Sequence, residues 1–176
     1  MTRIAIDMDE VIVDTLSAQL AWLAKHDNTQ APSRDALRGR PFYALATEAA
    51  HQALEERMTA GDFFGDLPPM PGALEVFGRL AAKHEVFIAS AAMDYPKSCA
   101  PKIDWLHRHL PSFDHQRLVL CGDKRIVHAD FLIDDSPRHF AAFTGTGLLF
   151  SAPHNALEAR YERLDDWHAV AKKFGV

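Results

Sequence analysis

The sequence RIAIDMDE, residues 3–10, decides the fold of this chain. Residues 3–6 form a mainly apolar run of the length expected for one short buried strand. The run stops abruptly at residues 7–10 (Asp-Met-Asp-Glu), so the predicted strand ends in two carboxylates two positions apart. In an open parallel sheet the ligand site lies outside the carboxyl ends of the strands, so this position predicts a functional site.

Outward from this strand, the spacing of apolar residues predicts alternating helices and strands. Near-continuous apolar strands that alternate with helices are typical of a parallel sheet covered on both faces. We therefore predict an α/β fold, a doubly wound, Rossmann-like parallel sheet with helices on both faces. The predicted strands are 3–6, 85–89, 118–121, 131–133 and 148–150, and the predicted helices are 14–25, 47–60, 72–83, 101–110 and 165–173.

Residues 15–68 interrupt this alternation with two predicted helices and no strand. A proline-dense stretch at 67–72 (Leu-Pro-Pro-Met-Pro-Gly) closes the interruption and is typical of a stiff connector. We expect residues 1–14 and 69–176 to form an α/β catalytic core. Residues 15–68 are expected to form a small helical cap domain, inserted after the first strand and placed over the sheet.

The composition argues against several classes of function. The chain has 176 residues, a formal net charge of -5 and no basic tract, which argues against binding to a nucleic-acid polymer. No apolar run is long enough to span a bilayer, and no secretory signal precedes the first strand. Cys99 and Cys121 form no CxxC pair, and the ten histidines show no zinc-binding spacing. We expect a cytoplasmic protein with reduced thiols and no membrane partner.

Polar side chains follow four of the predicted strands, at the edge where a ligand would bind. Each is ordinary in a turn when taken alone, and the acidic pair at 134–135 could simply cap the next segment. Their occurrence in this order, each at a strand end, indicates a site for phosphate and metal. The set consists of Asp7 and Asp9 after the first strand, Ser90 after the second, Lys124 after the third, and Asp134 and Asp135 after the fourth.

The carboxylates of this set predict a metal cofactor. A carboxylate that attacks a phosphate meets like-charge repulsion of about 4 kcal/mol per unit pair at about 4 Å, in an effective dielectric of about 20. A divalent cation removes this barrier, and Mg²⁺ prefers carboxylate, carbonyl, water and phosphate oxygens. We predict Mg²⁺, with Asp7 and either Asp134 or Asp135 as its side-chain ligands.

The remaining side chains suit the transfer of a phosphoryl group. Asp9 can protonate the leaving oxygen and then activate water against an acyl phosphate on the nucleophile. Ser90 and the backbone N–H of the next residue, Ala91, would hold a phosphoryl oxygen, and Lys124 would balance the remaining charge. The sequence therefore predicts a phosphomonoesterase that works through an aspartyl-phosphate intermediate.

These residues resemble the four motifs of the haloacid dehalogenase-like hydrolase superfamily and, more narrowly, those of its 5'(3')-deoxyribonucleotidases. The similarity extends along the whole chain. The matching segments are DMDEVIVD at 7–14, FF-x-x-L-x-x-x-PGA across 63–73, VFI at 86–88, DK at 123–124, AD-x-LIDD at 129–135, HN at 154–155 and DDW at 165–167.

The resemblance implies a role for several residues. Asp7 would be the nucleophile and Asp9 the general acid and base. Mg²⁺ would be held by Asp7, the main-chain carbonyl of Asp9, and Asp135. Lys124 matches the phosphate-binding lysine of the family, and Lys102 is the second candidate for that role.

The resemblance also implies a substrate and an assembly. In the family, aromatic side chains of the cap enclose the base of a nucleoside monophosphate. Phe42, Tyr43 and Phe64 fall in the matching segments, although each could equally belong to the small core of the cap. Because relatives are often dimers, a homodimer is expected.

Four positions depart from the family pattern. Glu10 stands where better-known members carry glycine, so an extra carboxylate lies close to the predicted metal or points away from it. Thr15 stands where the family often has an aromatic residue that stacks on the base. Ala91-Ala92 replaces a more polar or proline-containing turn. Both alanines have a backbone N–H, so the phosphate site loses no backbone donor.

Other functions remain open on the sequence alone. A phosphosugar phosphatase, or a phosphatase for another small metabolite, would use the same core chemistry. A receiver-like signalling domain has its acidic pair after the first strand and lacks a helical insert, so the order of motifs disfavours it. A fold relative that only binds a nucleotide or Mg²⁺ is disfavoured by the presence of both Asp7 and Asp9.

Overall fold

The computed structural model describes the backbone of residues 1–176 and every side chain except that of Phe42. Over this backbone a six-stranded sheet forms in the order β3-β2-β1-β4-β5-β6, with every neighbouring pair parallel. The predicted α/β class is confirmed. The strands are β1 (Arg3–Ile6), β2 (Glu85–Ser90), β3 (Leu118–Leu120), β4 (Phe131–Asp134), β5 (Thr146–Phe150) and β6 (Glu162–Leu164).

The α-helices lie within two residues of their predicted limits. Strand β6 is missing from the prediction, because its three residues include the charged Glu162 and Arg163 and it pairs only at the sheet edge. No helix in the described part of the chain is long and apolar enough to cross a membrane. The helices are α1 (Thr15–His26), α2 (Glu48–Ala60), α3 (Ala73–Lys83), α4 (Cys99–His109) and α5 (Trp167–Phe174).

The core divides between the two faces of the sheet, as the alternation of side chains along a strand requires. On β1, Ile4 and Ile6 join the large apolar cluster formed with α3, α4 and α5, whereas Ala5 belongs to a smaller cluster on the other face. That second face is covered by residues on either side of β4, namely Val127, Ala129, Phe140 and Phe143, and Phe140 packs against the backbone of β5. Gly147 allows this close approach, since a Cβ there would lie 2.5 Å from the Phe140 ring.

The segment 15–68 leaves and rejoins the sheet through one narrow neck. Val13 and Pro69 form an isolated antiparallel bridge. The backbone N–H of Asp14 donates to the carbonyl of Pro68 at 2.8 Å, and that of Met70 donates to Ile12 at 2.8 Å. The two ends of the segment are therefore fastened together beside the loop that follows β1.

Candidate active site

The carboxyl ends of β1 and β4 meet in the centre of the sheet. Strands β1, β2 and β3 run outward on one side, and β4 starts the other side directly next to β1, so the strand order reverses here. Asp7 follows β1 and Asp134 ends β4, and the Asp7 N–H donates to the carbonyl of Ile133 at 2.8 Å. This reversal is where open α/β sheets form their ligand sites.

Lys124 lies between the two carboxylates at this point. Its Nζ is 2.5 Å from Oδ1 of Asp7 and 2.6 Å from Oδ2 of Asp134, and its side chain is buried. Burial by itself lowers the pKa of Lys124, but the attraction of Asp7 and Asp134 outweighs it and raises that pKa. The two carboxylates therefore favour the charged form of Lys124, whose ammonium group partly neutralises the acidic cluster.

Asp7, Asp134 and Asp135 each place a carboxylate oxygen within 4.8 Å of the others. Burial raises the pKa of Asp7 to about 7, with Lys124 opposing and the neighbouring acids adding to the shift. Burial and the charge of Asp134 likewise raise the pKa of Asp135 well above its ordinary value. Two buried carboxylates and one half-buried carboxylate with one ammonium group lack positive charge, so the donor set fits a hard divalent cation.

The two acids at the end of β4 differ in the number of hydrogen bonds that their carboxylates already accept. Asp134 accepts from Lys124 through Oδ2 and from the Ser136 N–H through Oδ1 at 2.8 Å. Asp135 has Oδ2 at 3.4 Å from Nε2 of His154, while its main-chain carbonyl accepts from the Asn155 side chain at 2.7 Å. The Asp135 carboxylate is thus the freer of the two to bind a metal.

A second group forms around Asp9. Lys102 reaches it from α4, and Nζ of Lys102 contacts Oδ2 of Asp9 in a close ion pair and lies 3.1 Å from Oγ of Ser90. Ser90 also lies 3.4 Å from Oδ2 of Asp9, and Thr15 lies 3.5 Å from Oδ1. Lys102 and Ser90 are buried, while Asp9 is partly exposed to the cavity in front of it.

Glu10 bonds to the start of the cap and is not one of the three acids of the carboxylate cluster. Its φ angle of 60° lies in the left-handed region, which favours glycine. Its carboxylate accepts the N–H of Leu16 at 2.9 Å and forms a close ion pair with Arg34, which also contacts Asp14 at 2.8 Å. Burial raises the pKa of Glu10 to about 7 despite the opposing attraction of Arg34.

The two groups share one cavity of about 420 Å³ between the strand ends and the segment 15–68. Its floor is polar and contains Asp7, Asp9, Lys102, Lys124, Asp134 and Asp135, together with Ala91. The opposite wall is mainly apolar and contains Leu16, Leu37, Pro41, Met58 and Phe64. A polar floor that faces an apolar wall suits a ligand with one charged end and one flat or apolar end.

The predicted aromatic residues have different positions. Phe64 lines the cavity, and Nζ of Lys102 lies 4.8 Å from the centre of its ring. Tyr43 is 45% exposed, stacks on His51 with ring centres 4.6 Å apart, and is not among the described residues of the cavity wall. A contact between Tyr43 and the base stays a prediction. The side chain of Phe42 lies outside the described residues.

Several residues of the site carry no local sequence signal. Arg34 acts on Glu10 and Asp14 from a 3-10 turn in the cap, and Gln19 lines the cavity from α1. His154 and Asn155 match the HN segment of the family, but the resemblance assigns neither of them a role. In the structure Asn155 is buried and donates both to the carbonyl of Asp135 and, at 2.8 Å, to that of Phe150.

Comparison with solved structures defines the class of the fold. A haloacid dehalogenase-like protein of unknown function from Agrobacterium tumefaciens aligns with a TM-score of 0.59 at 14% identity, with 99% of this chain and 98% of that chain covered. At this identity the likeness shows the fold alone. The fold is that of the haloacid dehalogenase-like hydrolases.

Comparison of sequences defines the family. The family described as "5' nucleotidase, deoxy (Pyrimidine), cytosolic type C protein" matches residues 1–174. A Staphylococcus aureus protein named "Putative 5'(3')-deoxyribonucleotidase" is 41% identical over 177 residues, covering 99% of this chain and 97% of that protein. A Bacillus subtilis protein named 5'(3')-deoxyribonucleotidase is 33% identical over 171 residues, covering 97% of this chain and 96% of that protein. The chain belongs to this family, and the predicted class, a phosphoric monoester hydrolase, is confirmed.

Proposed function

We propose that this chain is a Mg²⁺-dependent 5'(3')-deoxyribonucleotidase that releases inorganic phosphate from deoxyribonucleoside monophosphates. The observation that carries the proposal is the pair of carboxylates after β1, Asp7 and Asp9, which lie beside two buried lysines on the floor of one cavity. The names of the relatives supply the substrate class. The apolar wall opposite that floor supports a substrate with a base at its far end.

In the proposed reaction, an oxygen of Asp7 attacks the phosphorus atom and the bond from phosphorus to the nucleoside oxygen breaks. Asp9 gives its proton to the leaving oxygen. Asp9 then takes a proton from a water molecule that attacks the acyl phosphate, which regenerates the Asp7 carboxylate and releases phosphate. The contacts of Asp9 with Lys102 and Thr15 hold its carboxyl group for both steps.

The phosphoryl oxygens are assigned to groups that already point toward Asp9. Lys102 and Ser90 share contacts with Oδ2 of Asp9, and Ala91 follows Ser90 into the cavity wall. Lys124 keeps its two bonds to Asp7 and Asp134 and adds positive charge beside the nucleophile. Both lysines therefore offset the negative charge of the substrate, one at the acid and base and one at the nucleophile.

Mg²⁺ fits the carboxylate cluster, and we assign Asp7, Asp135 and the main-chain carbonyl of Asp9 as its protein ligands. Asp134 stays bonded to Lys124 and Ser136, so it orients the site and leaves the direct contact to Asp135. When bound, the ion supplies positive charge that reduces the repulsion between nucleophile and phosphate. Asn155 and His154 hold the main chain of Asp135 in place for this role.

The substrate preference follows from the apolar wall of the cap. Stacking of a base on an aromatic ring such as Phe64 can contribute about 1–3 kcal/mol. A ribose 2'-hydroxyl against the same wall would lack a hydrogen-bond partner, at a cost of about 1–3 kcal/mol. We therefore expect dUMP or dTMP to be preferred over their ribonucleotides, with a modest ratio because Thr15 replaces an aromatic residue.

The proposal also covers the organisation of the chain. We assign residues 15–68 to a cap, in line with the neck at Val13 and Pro69, and residues 1–14 and 69–176 to the catalytic core. A cytoplasmic location agrees with the two free thiols of Cys99 and Cys121. The expected homodimer follows only from relatives and stays a prediction.

The test compares kcat/KM for dUMP, UMP and a phosphosugar, with and without Mg²⁺. We expect the order dUMP, then UMP, then the phosphosugar, and little turnover without the ion. A phosphosugar that is clearly the best substrate would contradict the nucleotidase assignment and leave a phosphatase of another substrate class.

The mechanism has its own test in two variants. Asp7→Asn should lower hydrolysis of p-nitrophenyl phosphate by about 10³-fold or more, because it removes the nucleophile. Asp9→Asn should lower it by about 10²–10⁴-fold, because it removes the acid and base. Asp123→Asn is the matched control, since Asp123 also follows a strand but is exposed and paired with Arg125. Near-normal turnover by folded Asp7→Asn would refute the assignment of the nucleophile.

A further inference from the structure

We propose that Gln19 recognises the nucleobase, with its carboxamide bonded to the edge of the base inside the cap. The inference rests on the proposed function and names the residue that would select for a base. It assigns a binding role to a side chain that belongs to none of the motifs in the sequence.

Gln19 is a buried polar side chain with little to bond to. It is 7% exposed and lines the cavity from α1. Among the described residues, its side chain makes one hydrogen bond, from Nε2 to the thioether sulfur of Met58 at 3.8 Å. A thioether is a weak acceptor, and the same residues offer the amide oxygen no donor. The unused groups of the carboxamide belong to a side chain that lines the cavity, where a ligand can complete their hydrogen bonds.

The other polar side chains on the cap side of the cavity are used or exposed. Thr15 is buried but contacts Asp9 at 3.5 Å and the carbonyl of Val13 at 3.4 Å. Arg40 is exposed. Glu10 is paired with Arg34. Within the described part of the wall, Gln19 is thus the buried polar group with unused hydrogen-bonding capacity.

The position of Gln19 along α1 matches the length of a nucleotide. Thr15 and Gln19 are four residues apart, so they lie on the same side of the helix. Thr15 contacts the catalytic acid Asp9, and Gln19 lies four residues, about 6 Å along the helix axis, further into the cap. A sugar separates the phosphate of a nucleotide from its base, so the base must lie beyond the carboxylates, beside Gln19 and Phe64.

A carboxamide offers a donor next to an acceptor. The edge of uracil or thymine presents N3–H beside O4, and the edge of cytosine presents N4–H beside N3, so each pyrimidine can form two hydrogen bonds with the group. A sugar phosphate without a base reaches the same catalytic floor but leaves Gln19 without a partner. Removing the carboxamide should therefore affect nucleotides and spare the sugar phosphate.

The experiment measures kcat/KM of wild type, Gln19→Leu and Gln19→Glu for dUMP and for 2-deoxyribose 5-phosphate. We expect Gln19→Leu to lower kcat/KM for dUMP about tenfold or more, the size expected for two lost hydrogen bonds to a base, and to leave 2-deoxyribose 5-phosphate unchanged. Gln19→Glu keeps the shape but loses the donor, so it should also lower the value for dUMP. Gln52→Leu, at an exposed position on the cap helix α2, is the matched control and should change neither value.

Each outcome separates the two proposals. If Gln19→Leu lowers both substrates equally, or lowers neither, Gln19 does not contact the base and the inference is wrong while the nucleotidase assignment stands. If wild type itself shows no preference for dUMP over 2-deoxyribose 5-phosphate, the cap does not select a base, and the nucleotidase assignment fails together with the inference.

Discussion

Lys124 and Lys102 are both buried lysines paired with aspartates, but they lie at different positions and have different roles in the site. Lys124 contacts Asp7 at 2.5 Å and Asp134 at 2.6 Å, so it balances the charge of the carboxylate cluster. Lys102 contacts Asp9 and Ser90, so it lies where the phosphoryl oxygens are proposed to bind. Removing either lysine leaves a carboxylate without its partner, and the cost is larger where the burial is deeper.

At the scale of single residues, we predict that Lys124→Ala lowers kcat/KM more than Lys102→Ala. The first variant leaves two buried carboxylates facing each other, so kcat should fall and stability should drop by about 3–5 kcal/mol. The second weakens the hold on the phosphate and should raise KM more than it lowers kcat.

The measurement is steady-state kinetics with dUMP, beside urea unfolding of each variant. Lys124→Met keeps more of the packing and shows whether loss of folding causes the effect. A larger loss of kcat/KM for Lys102→Ala would show that Lys102, and not Lys124, is the more important lysine for the reaction.

At the scale of elements, the cap depends on contacts between its own two helices. Asp27 ends α1, and Thr47 begins α2 as its N-cap. The Thr47 hydroxyl donates to Oδ1 of Asp27 at 2.7 Å and accepts the N–H of Ala50 at 3.2 Å, and the Thr47 N–H donates to Oδ2 of Asp27 at 3.1 Å. One carboxylate therefore joins the end of one helix to the start of the next.

The hydrogen bonds from Thr47 lower the pKa of Asp27 below its ordinary value of 3.8, which predicts a dependence on pH. The carboxylate contributes stability above pH 3.8 and loses it as the pH falls through the lowered, folded-state pKa. We expect Asp27→Ala to melt at a lower temperature than wild type at pH 7, and the difference to shrink in acid below that range. Asp35→Ala, at an exposed acid of the cap, is the control and should show no such gap. A difference that is the same at every pH would show that the carboxylate charge plays no part.

At the scale of the whole molecule, the last helix, α5, is hydrogen-bonded to the loop that follows β1. Nε1 of Trp167, in α5, donates to the carbonyl of Val11 at 2.7 Å, and Trp167 is 1% exposed. Nε1 of Trp105, in α4, donates to the carbonyl of Leu67 at 2.7 Å, at the end of the cap segment. Two buried indoles thus fasten the catalytic loop and the neck of the cap to the helices on one face of the sheet.

Trp167→Phe keeps an aromatic ring but removes the N–H that bonds to Val11. The buried carbonyl then lacks its donor, so we expect a loss of about 1–3 kcal/mol in the free energy of unfolding. Since Val11 belongs to the loop that carries Asp7 and Asp9, kcat/KM for p-nitrophenyl phosphate should fall as well.

Trp22→Phe is the control, because Trp22 is only partly buried and stacks on His26 at the surface of the cap. Urea unfolding and kinetics of the two variants check both parts. Unchanged stability in Trp167→Phe would contradict the role assigned to this hydrogen bond.

The elements of the core and the residues at the strand ends follow from local patterns in the sequence. Apolar runs of strand length, helical spacing and the proline-dense connector each act over a few neighbouring residues, so they can be recognised without the fold. Strand β6 is missing from the prediction because three partly polar residues at a sheet edge show too weak a pattern of apolar residues. The convergence of Asp7, Ser90, Lys124 and Asp134 follows from a general rule, since all parallel strands end at one edge.

The sequence by itself determined the α/β class, the order of its elements apart from β6, and the set of chemical groups that follow the strands at the active edge. Only the tertiary structure decided which groups pair: Lys102 with Asp9, Lys124 with Asp7 and Asp134, and Arg34 with Glu10. It also placed Tyr43 outside the cavity wall and Gln19 within it. The physical reason is distance along the chain. Asp9 and Lys102 are 93 residues apart, and Asp7 and Lys124 are 117 apart, so their contacts depend on how whole elements pack and leave no trace in local sequence.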